Sequence, residues 1–204
     1  MASVTPTPDE KTGSRRTTWI VGALVLIVGA VAVVSAMGSV NMKEVTETFE
    51  GVSLIELDLE NSPVVVTAGD GGAVRIEKRF TTGWFGGSNR SEQNGDQLRL
   101  IQRCPSLFGF GCRARYEVTV PADATVIGRT SNGSITIERL TGPIDVDTSN
   151  GSVEVIIPDD SPSYALSTTT SNGTVGTAIR TDPAATDNMI DISTSNGDIT
   201  VRYP

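Results

Sequence analysis

Thr-Ser-Asn-Gly occurs four times in the second half of this 204-residue chain, beginning at Thr130, Thr148, Thr170 and Thr194. Alternating apolar residues follow each copy: Ile135 and Ile137, Val153 and Val155, Val175, then Ile199 and Val201. A fixed turn feeding a fixed strand is the mark of stacked architecture. Asn132 and Asn150 are 18 residues apart, as are Ile135 and Val153, and Ile137 and Val155. Between them a second turn, Leu140-Thr141-Gly142-Pro143, leads to the alternating pair Ile144 and Val146. One repeat is therefore strand, turn, strand, turn. That order predicts an all-β, single-stranded β-solenoid (β-helix) with about 18–24 residues per coil.

Equal offsets stack apolar side chains of successive coils inside and put Thr136 and Glu154 in an outer row. The later spacings, Asn150 to Asn172 and Asn172 to Asn196, grow to 22 and 24 residues. Their extra residues fall at 158–162 and 182–188, expected to bulge as loops from one edge. Asn-Gly tolerates positive φ and bends at low cost. This makes Asn132-Gly133, Asn150-Gly151, Asn172-Gly173 and Asn196-Gly197 the coil corners. Their asparagines are placed to stack as an amide ladder. The same dipeptide also closes ordinary hairpins, but two unlike turns per repeat favour the coil. Glu60-Asn61-Ser62-Pro63 reads as an eroded copy of the corner.

The N-terminal region differs in kind. From Thr17 to Met42 no residue is charged, and Trp19 to Val34 is apolar or glycine throughout. As a helix, Trp19 to Val40 would span roughly 33 Å, against a hydrocarbon core of about 30 Å. Arg15 and Arg16 place its N-terminal edge in the cytoplasm. The alternative is a cleavable signal peptide, with small-residue sites at Val34-Ser35-Ala36 and Ala36-Met37-Gly38. The length of the apolar run favours an uncleaved anchor. Residues 1–16 then form a disordered cytoplasmic tail, 17–40 a transmembrane helix, 41–48 a linker and 49–204 an extracytoplasmic domain. Alternation at Ile55/Leu57/Leu59, Val64/Val66, Val74/Ile76, Leu98/Leu100 and Val118/Val120 makes that domain all-β.

Charge and composition exclude several functions. Residues 1–18 carry Lys11, Arg15 and Arg16 against Asp9 and Glu10, while the rest hold 13 basic and 22 acidic side chains. An acidic domain repels nucleic-acid backbones. The absence of histidine from the sequence excludes His-based triads and His metal sites.

Val-Thr-Val-Pro at 118–121, the segments 130–137 and 142–151, and the closing Ser-Asn-Gly-Asp-Ile-Thr-Val at 195–201 resemble the bacterial putative-adhesin family of unknown function. The likeness runs from about Val52 to the C-terminus and rests on spaced Asn-Gly turns. It implies an envelope-facing β-solenoid behind a membrane segment.

Three groups of residues are candidates for function. Cys104 and Cys112 flank a short Gly-rich loop, where a disulfide would contribute about 2–3 kcal/mol; they lack the Cys-x-x-Cys spacing of a redox pair. Trp84, Phe85, Leu107, Phe108 and Phe110, with Phe80 nearby, lie in Gly-rich segments. They read as a cap over the solenoid end or as an exposed patch for glycan, lipid or protein. Asp145 and Asp147 share an outer face with Glu154, Asp191 and Asp198. Carboxylates two residues apart sit roughly 7 Å from each other, a separation usable for calcium or glycosidase chemistry. No motif activates them, and no catalytic residue, metal or cofactor is expected.

The resulting expectation is a membrane-anchored, non-enzymatic interaction module of the envelope, meeting wall glycan or another envelope protein. An envelope-stress or regulatory membrane component is the second reading, and a polysaccharide-modifying β-helix enzyme the third.

Overall fold

The computed structural model describes residues 41–82, 87–104, 114–185 and 187–204. Residues 1–40, including the expected transmembrane helix at 17–40, lie outside these. No helix among the described residues is long and apolar enough to cross a membrane. The described chain consists of β-strands joined by turns and short irregular segments. In order they are β1 (Asn41–Glu50), β2 (Leu54–Leu59), β3 (Val64–Gly69), β4 (Ala73–Thr82) and β5 (Ser88–Asn94). There follow β6 (Gln97–Arg103), β7 (Ala114–Pro121), β8 (Thr125–Asn132), β9 (Ile135–Glu138) and β10 (Ile144–Asn150). The last are β11 (Val153–Ile156), β12 (Ala165–Asn172), β13 (Val175–Ala178), β14 (Met189–Asn196) and β15 (Ile199–Arg202).

These strands make two mixed sheets, and the expected single-stranded solenoid is corrected accordingly. The eight-stranded sheet runs β1-β4-β7-β3-β9-β11-β15-β13 and the seven-stranded sheet β12-β14-β10-β8-β2-β6-β5. Pairing is antiparallel for β1–β4, β4–β7 and β5–β6. It is parallel from β7 and β6 onward to β13 and β12.

Within the parallel part each corner joins a strand of one sheet to a strand of the other, as β8 to β9 and β10 to β11. The order of these units departs from the order of the chain. The β14–β15 unit lies between β10–β11 and β12–β13, and β6–β7 lies outside β2–β3. Spacing explains the first exchange. Coils 18 residues apart are immediate neighbours, with Asn150 beside Asn132. The 22-residue interval carries the chain past one vacant position to Asn172, and the 24-residue interval brings it back to fill that position with Asn196, beside both Asn150 and Asn172. Residues expected merely to bulge at 158–162 and 182–188 are the length needed to step over a strand and return. Arg180 fastens the first of these loops, donating through Nη2 to the carbonyls of Asp159 (3.0 Å) and Ser161 (2.8 Å).

The core lies between the sheets. Ile55, Leu57, Val126, Ile144, Val146, Ile190 and Ile192 on one sheet face Val64, Val66, Ile135, Ile137, Val153, Val155, Ile199 and Val201 on the other, all buried. Full burial of each such side chain contributes roughly 1.5–3 kcal/mol before conformational entropy is counted. Residues 41–48, expected as a linker, are instead most of β1, an edge strand paired along its length to β4. Their inward positions, Val45 and Glu47, are half-buried, and Glu47 meets a buried lysine there. A polar edge strand carries no period-2 apolar signal, which is why the sequence reads as a linker.

Candidate functional site

Each residue of the repeated tetrapeptide has a separate task. The threonine points inward: Thr130, Thr148 and Thr194 are buried, and Thr170 and Thr194 donate through Oγ1 to the carbonyls of Gly197 (3.0 Å) and Gly151 (3.2 Å). The asparagines form one chain of side-chain amide bonds. Asn172 donates to Asn196 (3.0 Å), Asn196 to Asn150 (3.0 Å), Asn150 to Asn132 (3.1 Å) and Asn132 to Asn61 (2.9 Å). The eroded corner at 60–63 thus supplies the fifth member.

The glycines are required for a different reason from the one read in the sequence. None of these asparagines has positive φ, and of the four glycines only Gly197 does, at 155°. A Cβ on Gly133, Gly151, Gly173 or Gly197 would run into the backbone carbonyl of Ser62, Gly133, Gly197 or Gly151, respectively. Close stacking of corners, more than turn handedness, excludes a side chain here.

Serine, the remaining residue, faces outward and leads to the site. On the outer face of the seven-stranded sheet a groove of about 340 Å³ is lined by residues including Asp58, Glu60, Arg103, Arg129, Ser131, Asp147 and Ser149. Register places Asp147, Arg129 and Asp58 side by side across β10, β8 and β2. Ser149 and Ser131 lie one outward position further along β10 and β8.

The charges in the groove are unequally committed. Arg103 holds Asp58 with both terminal nitrogens, Nη1 to Oδ1 at 2.8 Å and Nη2 to Oδ2, and Arg99 adds a third contact at 2.9 Å. The Arg103 hydrogen bonds, and then the Arg103 and Arg99 charges, outweigh partial burial and hold the Asp58 carboxyl below its ordinary range. Glu60 accepts from the Cys104 backbone N–H at 2.6 Å. Asp147 accepts from Ser193 at 2.9 Å. The Arg129 side chain is exposed and makes neither a hydrogen bond nor an ion pair among the described residues. One uncommitted guanidinium beside a carboxylate and two serine hydroxyls can orient a polyhydroxylated or anionic ligand.

The other expected site residues are scattered. Asp145 and Asp191 are in register on the same sheet face but outside the groove. Glu154, expected to share that face, lies on the opposite sheet in an ion pair with Arg202 (3.0 Å). Asp198 sits at a corner, accepting from the N–H and Oγ1 of Thr174, both at 2.8 Å. The Thr174 backbone bond, followed by the hydroxyl bond, keeps that carboxyl below its ordinary range. Among the described residues no three His, Cys, Asp or Glu side chains form a metal cluster. Trp84, Phe85, Leu107, Phe108, Phe110 and Cys112 lie outside the described residues. Cys104 is not a free thiol.

Sequence reasoning missed Arg129, Arg103 and Asp58. For Arg129 the signal was present. It precedes Asp147 by the same 18 residues that align the asparagines, so the coil register places a cation against the acidic pair.

No family model matches the sequence, and no curated protein matches it. The architecture is similar to that of a putative cell adhesion protein from Clostridium sporogenes ATCC 15579. Identity is 11%, coverage is 80% of this chain and 100% of that one, and the TM-score is 0.52. At that identity the likeness concerns the fold alone. A putative adhesin from Bacteroides fragilis NCTC 9343 is 12% identical over 79% of this chain and 97% of its own, with a TM-score of 0.34. A putative lipid binding protein from Parabacteroides distasonis ATCC 8503 is 10% identical over 82% and 98%, with a TM-score of 0.32.

Proposed function

We propose that this chain is a non-enzymatic interaction module of the cell envelope, of adhesin type, holding a polyhydroxylated wall glycan across the outer face of its seven-stranded sheet. The observation that carries the reading is the uncommitted Arg129 in a groove lined with Asp147, Ser131 and Ser149. A sugar presents hydroxyls that satisfy a carboxylate, a guanidinium and serine hydroxyls together. The named role of the Clostridium protein of similar fold agrees with surface attachment. Placement outside the cytoplasm is supported by the charge-free run from Thr17 to Met42 and by a Cys104 that is not a free thiol.

The test is retention of the detergent-solubilised full chain on immobilised cell-wall polysaccharide. Arg129→Ala should weaken binding about tenfold or more, as expected for loss of a charged contact. Glu138→Ala, on the other sheet, should leave it unchanged. Equal retention of the Arg129 variant would remove the groove from the account.

A further inference from the structure

The sheets end in four edge strands, and the two ends of the stack are built differently. At one end lie β1 and β5, which carry Lys43, Glu44, Glu47, Glu50, Arg90 and Glu92. Charged side chains on an edge strand hinder its pairing with another chain. At the other end lie β12 (ALSTTTSN) and β13 (VGTA), with no charged residue in either. Each leaves one side of its backbone without a neighbouring strand among the described residues. No residue of this pair is fully buried, and Val175 is 45% exposed. The Asn172 Oδ1 at this end accepts no hydrogen bond among the described residues, so the amide ladder also stops open.

We infer that the β12–β13 end is a self-association surface on which a second copy of this chain docks end to end. The two edges run in opposite directions, because a two-residue corner at 173–174 joins them and sends the chain back along the other sheet. A partner that pairs with both at once must present two edges at the same separation and with the same opposed directions. A second copy of this end meets that requirement by construction. A two-fold axis across the stack lays an antiparallel strand against each edge in an isologous interface. The domain as a whole is acidic, so two copies repel, and an uncharged end offers approach with little added repulsion. Both sheets then continue through the contact, and the open backbone groups of both protomers are paired.

The inference is independent of the groove, which faces sideways from the outer sheet surface. Its test is the protein mass of the detergent-solubilised full chain by light scattering and sedimentation. The wild-type chain is expected at twice the chain mass. Thr169→Lys with Val175→Lys, both at exposed positions, should weaken association by more than about tenfold. Mixing that variant with its Thr169→Glu, Val175→Glu counterpart should restore the dimer, which a misfolded variant could not do. Thr46→Lys on exposed β1 should change nothing. A wild-type chain at single mass throughout, a Lys variant that remains dimeric, a mixture that stays monomeric, or a Thr46 variant that dissociates would each overturn it.

Discussion

The two ends of the stack solve the same problem in opposite ways. The end built from β1, β4, β5, β6 and β7 is sewn together across the sheets. Lys78, with its side chain only 3% exposed, reaches Glu47 at 2.7 Å and Ser91 at 2.8 Å. Tyr116 donates its hydroxyl to Asn89, and Gln93 donates to the Glu50 carbonyl at 2.9 Å. Burial raises the Tyr116 hydroxyl well above its ordinary pKa, with the Glu47 charge adding to the effect. The β12–β13 end has no ion pair among the described residues and no antiparallel strand to close it. Antiparallel strands with ionic partners finish a sheet, whereas uncharged parallel strands leave it extendable. Charged antiparallel strands close the stack at one end, while at the other β12 and β13 leave it open among the described residues.

Substitutions should separate the interior from that open end. Gly151→Ala puts a Cβ against the Gly133 carbonyl and should cost more than about 3 kcal/mol or prevent folding, measured by urea denaturation. Gly176→Ala in β13 meets no atom within 4 Å and should cost less than about 0.5 kcal/mol. Equal effects would mean that the corners are not close-packed. At the sewn end, Lys78→Ala strands Glu47 and should cost about 2–3 kcal/mol, below the range for fully buried pairs because Glu47 stays one-third exposed. Asn150→Ala removes an interior ladder member bonded on both sides and should cost about 1–2 kcal/mol. Asn172→Ala, at the open end with one ladder bond, should cost about half of that.

Acid should loosen the sewn end through Glu47. Burial raises that carboxyl, but hydrogen bonds from Lys78 and Ser91 and the Lys78 charge more than offset it, so its folded pKa lies below the ordinary 4.5. A depressed folded value adds stability above the unfolded pKa, and this is lost as pH falls through the folded one. Melting temperature should therefore fall as pH drops below about 4.5, and Glu47→Gln should flatten that fall. A Gln variant with the same acid slope would assign the loss to the other depressed carboxyls, Asp58 and Asp198, instead.

Much of this was legible before any coordinates. Apolar alternation marks most of the strands and their inward faces, and the recurring Asn-Gly turns mark the corners and the amide ladder. The order of the coils was not, because apolar alternation says which face is inside and nothing about which coil is next. The information lay in the longer spacings, read as bulging loops. Strand β1 was missed because an edge strand with one half-buried acid has no apolar alternation. Glu154 was misplaced because the outer rows of two sheets share the same period. The glycine requirement was assigned to turn geometry because a carbonyl one coil away leaves no mark in local sequence. Arg129 could have been found, since the register that aligns the asparagines also sets it beside Asp147.

The departure from chain order is the claim on which the rest depends. It is tested most directly by scalar coupling through backbone hydrogen bonds in the NMR spectrum of the isotope-labelled full chain. The Gly151 N–H donates to the Asn196 carbonyl at 3.0 Å, and the Gly197 N–H to the Asn172 carbonyl at 2.9 Å. Coupling from the Gly151 nitrogen to the Asn196 carbonyl carbon is the predicted result. Coupling from Gly151 to Asn172 would restore the coils to chain order and contradict this account.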